Sequence, residues 1–188
     1  MGHKCIDIIR QEHAALAAML QSIVLLLRHA HDKATTPDFA ALRAMLFYVD
    51  EFPEKRHHRK ESNLLFPKLR ARTPQHRDLL DHLELDHSRG EARIRELEHA
   101  LIAFEVMGDT RRQEFEAAVE RYIDFYRSHM AMEEREILPL AEKVLTPEDW
   151  RDLDEAFLEN RDGLAGAQPE ADYAALFAHI VNTQRTLY

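Results

Sequence analysis

Apolar residues recur every three or four positions through most of the chain, the pattern of helices that each bury one face. From about Cys5 to His31 the stripe is Ile6, Ile9, Leu16, Leu20, Ile23 and Leu27, and it ends before the loop Asp32 to Pro37. A second helix is predicted from Pro37-Asp38, with Leu42, Leu46 and Val49 facing inward. Pro53 lacks an amide donor and is expected to bend or interrupt it. The stripe then continues through His57, Glu61 and Leu64 toward Leu65, Pro67 and Leu69. A third helix is predicted from Thr73-Pro74, a capping residue followed by a first-turn proline. Its stripe reads Leu80, Leu83, His87, Gly90, Ile94, Leu97, Leu101 and Phe104. The fourth follows Gly108-Asp109, runs to about Val144 and carries Phe115, Val119, Tyr122, Tyr126, His129, Glu133, Ile137 and Leu140.

Beyond Thr146-Pro147, another capped start, come a short helix through Trp150 and Phe157, a loop rich in Gly and Ala, and a terminal helix from about Pro169. On that last helix Tyr173, Leu176, Phe177, Ile180 and Val181 form an apolar stripe. Its expected place is against the bundle or against a second subunit, as in a homodimer. Strand-like alternation is scarce and only five glycines are present. The expected fold is all-α: an antiparallel up-down four-helix bundle over residues 1–145, with the helical extension 146–188 packed on it.

Polar residues break these stripes at a few places. His13 fills the gap between Ile9 and Leu16, His57 and Glu61 replace core residues one turn apart, and His87 fills a core slot on the third helix. On the fourth helix His129 and Glu133 repeat the His-x-x-x-Glu spacing, which stacks an imidazole and a carboxylate on one helical face. Of the twelve histidines, His3, His29, His31, His76, His99 and His179 read as solvated or partly buried, and His82 lies well round its helix from His87. Either pair alone fits an ordinary surface pair or a buried polar network. Burying an unpartnered carboxylate costs several kcal/mol or more, so six such residues on the inward faces of four helices point to a bound cation. Gly90, one turn beyond His87, leaves room for a neighbouring helix or a ligand.

Composition narrows the chemistry. The 188 residues suit one domain, and 45% hydrophobic with 31% charged residues is ordinary for a globular protein. A net charge of −9 without a Lys/Arg-rich run argues against nucleic acid and anionic membrane surfaces as partners. The unbroken apolar runs of the first helix, Ala14 to Leu20 and Ile23 to Leu27, fall short of the roughly 20 residues of a membrane span. Met1-Gly2-His3-Lys4-Cys5 lacks the features of a secretory signal, which leaves the cytoplasm as the default compartment. The single cysteine, Cys5, allows no intrachain disulfide and no cysteine-ligated iron–sulfur cluster. Imidazoles and carboxylates without thiolate suit iron, manganese or zinc. Two carboxylates from different helices can each bridge two ions, which makes a dinuclear centre the natural arrangement.

The residues resemble the hemerythrin-like proteins with the HHE cation-binding domain. The resemblance rests on Glu12-His13, on His57-His58-Arg-Lys-Glu61 followed by Leu65-Phe66-Pro67, on Asp86-His87, and on His129 with Glu133 before Ile137-Leu138-Pro139. It covers about residues 4 to 145. It implies a non-haem di-iron site of two Fe2+/Fe3+ ions with a bridging oxo or hydroxo group. His13, His57, His87 and His129 would be terminal ligands, and Glu61 and Glu133 would bridge. His58, three residues before Glu61, can face the same site as a fifth nitrogen ligand. The chain departs from the circulating oxygen carriers, whose third helix supplies two histidines four apart; here Leu83 and Glu91 flank His87 at that spacing.

Two functions follow from such a site. A slightly positive, nitrogen-rich centre favours binding or sensing of O2, nitric oxide or redox state. The alternative is an iron-dependent enzyme: a ferroxidase, a peroxidase or a repair protein for iron centres. The ferritin-like spacing Glu-x-x-His, present as Glu54-x-x-His57, Glu84-x-x-His87 and Glu96-x-x-His99, belongs to that alternative. Tyr122 and Tyr126, two turns and one turn before His129, serve as core filling or as donors near the site.

Overall fold

A computed structural model describes residues 3–159, 161–168 and 170–187 of the chain. Among the described residues there is no strand, and 89% of them are helical. Four long helices dominate: α1 (Lys4–Asp32), α2 (39–72), α3 (Arg77–Met107) and α4 (112–144). Two shorter ones, α5 (Pro147–Leu158) and α6 (Ala174–Leu187), follow. The expected helix start at Pro169 lies outside the described residues, as do Met1 and Gly2.

Local chemistry sets the helix ends. Asp38 accepts a hydrogen bond from the Ala41 amide at 2.9 Å and caps α2. Thr146 and Asp149 form a reciprocal capping box at the start of α5. Thr73 differs from the expectation: its side chain bonds His76, a 3-10 turn spans Pro74–His76, and α3 begins at Arg77. Gly108, at φ 72, stops α3 in a backbone conformation that a side chain disfavours.

Pro53 does not break α2. The helix widens instead into a π turn over Asp50–His57, with the His58 amide bonding the Pro53 carbonyl five residues back. Two further π turns cover Glu61–Leu65 and Glu133–Ile137. Each ends just before a proline, Pro67 or Pro139, which has no amide to offer and whose ring crowds the carbonyl four residues back. The wider i→i+5 bonding absorbs that conflict, and such turns concentrate at functional sites.

The long helices close a ring in which α1 packs on α2, α2 on α3, α3 on α4, and α4 on α1. Their interior holds two apolar clusters. One contains Leu16, Ile23, Leu46, Ile94, Phe104 and Tyr126. The other contains Ile6, Ile9, Phe66, Leu83, Ile137 and Phe157. Along every long helix the polar core residues fall where one cluster gives way to the other, so they form a polar layer between two apolar ones.

α5 packs on α1, where the ring of His3 lies flat on Trp150 with centroids 3.8 Å apart. α6 packs on α1 and α2 and buries Phe177 and Ile180, so its stripe is covered by the same chain. By length and mean hydropathy α1 would suffice to cross a membrane, yet half of its apolar window is buried against the other helices. That burial is what an interior helix requires.

Candidate metal centre

The polar layer brings together His13 from α1, His57, His58 and Glu61 from α2, His87 from α3, and His129 and Glu133 from α4. All seven are buried. They divide into two overlapping sets of ligand atoms: His13, His57, Glu61 and Glu133 in one, His58, Glu61, His87 and His129 in the other. Glu61 reaches both, with Oε1 3.2 Å from His57 Nε2 and Oε2 3.4 Å from His87 Nε2. Glu133 does the same: Oε2 lies 3.2 Å from His13 Nε2, and Oε1 lies 3.4 Å from His129 Nε2 and 3.7 Å from His87 Nε2.

Outer groups fix the rings. His57 Nδ1 donates to Glu12 at 2.7 Å, His13 Nδ1 to Glu134 at 3.0 Å and His58 Nδ1 to Glu54 at 3.2 Å. His87 Nδ1 bonds the Ser62 hydroxyl at 2.8 Å, whereas His129 Nδ1 faces Asp86 at 3.7 Å without a hydrogen bond. An imidazole held by one nitrogen from outside presents the other inward with a defined tautomer, the arrangement common to metal-ligating histidines.

The inward atoms lack partners. His57 Nε2, His87 Nε2, His129 Nε2, Glu61 Oε2 and both Glu133 oxygens are buried without a hydrogen bond. Buried polar atoms are nearly always satisfied, and a concentration of exceptions at one point marks a place that could hold an ion. The donor set of five imidazoles and two carboxylates fits a hard or borderline cation such as iron.

The electrostatics agree. Burial and the nearby Glu61 charge push the Glu133 carboxyl up, but the surrounding imidazoles hold it at about 2. Burial likewise opposes ionisation of Glu61, and His57 and His87 hold it well below the ordinary carboxylate range. Burial lowers His87 while the two glutamates raise it, and it settles at about 9. His58 is pushed well down by burial and by its neighbouring imidazoles. Two ionised carboxylates thus face each other in the core and call for positive charge.

A family profile described as Hemerythrin HHE cation binding domain matches residues 5–141. The chain belongs to that family. No sequence among curated proteins matches it. A hemerythrin HHE domain implies a metal site, typically of iron, and among the described residues the seven buried His and Glu side chains form groups that could hold one.

Several participants escaped the sequence pattern. Glu54, 2% exposed, accepts hydrogen bonds from Tyr122 at 2.7 Å, from Tyr126 and from His58. Burial lifts its carboxyl to about 7 despite those bonds. The two tyrosines therefore do more than fill the core. Gly90 makes this possible, because a Cβ there would meet the Tyr126 hydroxyl and lie 2.7 Å from Glu54 Oε2. The Glu-x-x-His triplets do not converge: Glu54 holds the outside of His58, Glu84 pairs with Arg70 at 3.5 Å, and Glu96 and His99 are exposed.

Beside His13 and His57 lies a cavity of about 10 Å³, also bordered by His58, Leu16, Phe52 and Met130. That is room for about one water molecule.

Proposed function

We propose that this hemerythrin HHE protein is a non-haem di-iron protein that binds or senses O2 or a comparable diatomic such as nitric oxide. Residues 1–145 form its antiparallel four-helix bundle and 146–188 an extension packed on it. The observation that carries this reading is the pair of inward-facing His/Glu sets sharing Glu61, most of whose inner atoms are unsatisfied, with a cavity of about 10 Å³ beside His13, His57 and His58.

His58, His87 and His129 would hold one ion and His13 and His57 the other, with Glu61 and Glu133 shared. Two ferrous ions held by these residues would supply the two electrons that reversible O2 binding needs. The chain does the rest. The neutral His58 and the four other imidazoles add no negative charge, which favours the ferrous state over deep oxidation. Leu16, Phe52 and Met130 keep bulk water from the cavity. Its size excludes an organic substrate and admits only a ligand of a few heavy atoms after displacement of the walls.

Metal analysis, anaerobic reduction and the optical spectrum on adding O2 test the proposal. Two irons per chain and a charge-transfer band that appears with O2 and fades on its removal are the expected result. Fewer than two bound metals sinks it. The Tyr122–Glu54–Tyr126 cluster beside His58 favours a second reading, an iron-dependent oxidant such as a ferroxidase or peroxidase, since phenols can deliver electrons. Irreversible oxidation with turnover selects that reading.

A further inference from the structure

The segment after α5 lies outside the residues matched by the family profile, yet it reaches the centre. Asp162 is 4% exposed and borders the cavity beside His13 and His57. Its carboxylate accepts the Tyr48 hydroxyl and, through Oδ1, the Leu164 amide at 2.8 Å. Its own amide points at Glu12 Oε1 at 3.4 Å, and Glu12 Oε2 accepts the His57 Nδ1 proton at 2.7 Å. A continuous chain therefore runs from Tyr48 through Asp162 and Glu12 to His57. Two further ties hold the segment down: Lys60 Nζ to the Glu159 carbonyl at 2.6 Å and Arg161 to Gln11 at 2.9 Å.

We infer that Asp162 is a positioning residue of the metal centre and that the 161–165 turn it anchors closes the cavity beside His57. This deepens the di-iron reading and rests on it for the ligand. Without the Asp162 carboxylate the turn loses Tyr48 and its own internal bond. Glu12 then loses its amide partner, and His57 loses the fixed carboxylate that sets its tautomer and orientation. The same loosening opens the cavity to water.

The test uses the full-length chain with Asp162→Ala, Asp162→Asn and Tyr48→Phe, and Arg151→Ala on the exposed face of α5 as a control. Cobalt(II) titration against a competing chelator should show one of two ions bound about 10-fold more weakly in Asp162→Ala and the other unchanged. Asp162→Asn, which keeps an oxygen for the Leu164 amide, should recover part of the loss. Azide should enter the cobalt-loaded Asp162→Ala protein several-fold faster. In the metal-free proteins the slowly exchanging His57 Nδ1 proton, read by nitrogen-15 NMR, should vanish in Asp162→Ala and persist in the control. Unchanged cobalt affinities, azide rates and His57 signal overturn the inference. A wild-type chain that takes up no cobalt defeats the di-iron reading instead, while the His57 signal still decides the positioning role.

Discussion

Around His58, His87 and His129 the rings stack tightly, with His58 on His87 at 4.2 Å and on Tyr126 at 5.7 Å, and Phe66 closing the far face of His87; beside His13 and His57 a cavity remains. The outer partners differ as well. On the filled side Glu54 is itself held by two buried tyrosines, while on the other Glu134 is solvent-accessible and Glu12 depends on a backbone amide from the extension. One half of the cage is rigid through packing. The other owes its shape to hydrogen bonds, one of which reaches Glu12 from Asp162, beyond the family-matched residues. A centre that must retain its metal and also admit a ligand can divide the two tasks in this way.

The most severe way to break the comparison is to remove what both halves share. Glu61→Ala should abolish binding of both ions, because it withdraws a carboxylate oxygen from each set together with the charge they share; metal analysis that finds either half still loaded would show that Glu61 is not shared. Stripping the metal comes next. Chelation leaves two buried carboxylates facing each other, and loss of a ligand bound a thousandfold above its Kd removes about 4 kcal/mol. For a chain of this size that lowers Tm by roughly 10 °C, measurable by calorimetry with and without chelator. An unchanged Tm would mean that the cage is stable empty.

Gly90→Ala sharpens the contrast by striking the filled half alone. The added methyl meets Tyr126 and Glu54, both buried, and overpacking of this kind costs about 1–3 kcal/mol. Denaturant unfolding should show that loss, with His58 displaced and His13 and His57 left in place. The smallest effect is expected far from both halves. Thr146→Ala removes the α5 cap and should cost about 1 kcal/mol without altering metal content. Burial would raise the Asp149 carboxyl, but its bonds from Thr146 and the Arg72 guanidinium hold it at about 2. Its contribution is complete above the unfolded value of 3.8 and is lost as pH falls through 2, so acid titration of Thr146→Ala should be flatter in that window.

Much of this was readable before any coordinates. His13, His57, Glu61, His87, His129 and Glu133 stood out because each interrupts a stripe that is otherwise apolar, and burial of those positions follows from the stripe itself. His58 was legible through its spacing from Glu61 alone, and the structure places it with His87 and His129. Their outer partners were harder. Glu54 meets Tyr126 from 72 positions away, and Asp162 meets Tyr48 from 114. No local periodicity encodes such distant pairings, and the loop holding Asp162 has no stripe to interrupt. Pro53 marked an interruption of the α-helical pattern but not its form: its missing amide was visible, and the helix answers it by widening rather than by ending. The neighbours that could share the strain, at Pro67 and Pro139, act through the same backbone adjustment.

The stack of His3 on Trp150 gives the protein an internal reporter. Trp150 is the single tryptophan of the chain, so its fluorescence arises where the N-terminus meets α5, with no label required. Release of that helix from α1 would expose the indole to water and shift its emission to the red. The docking of the extension can therefore be followed by light alone, in solutions where iron is being added, reduced or exchanged.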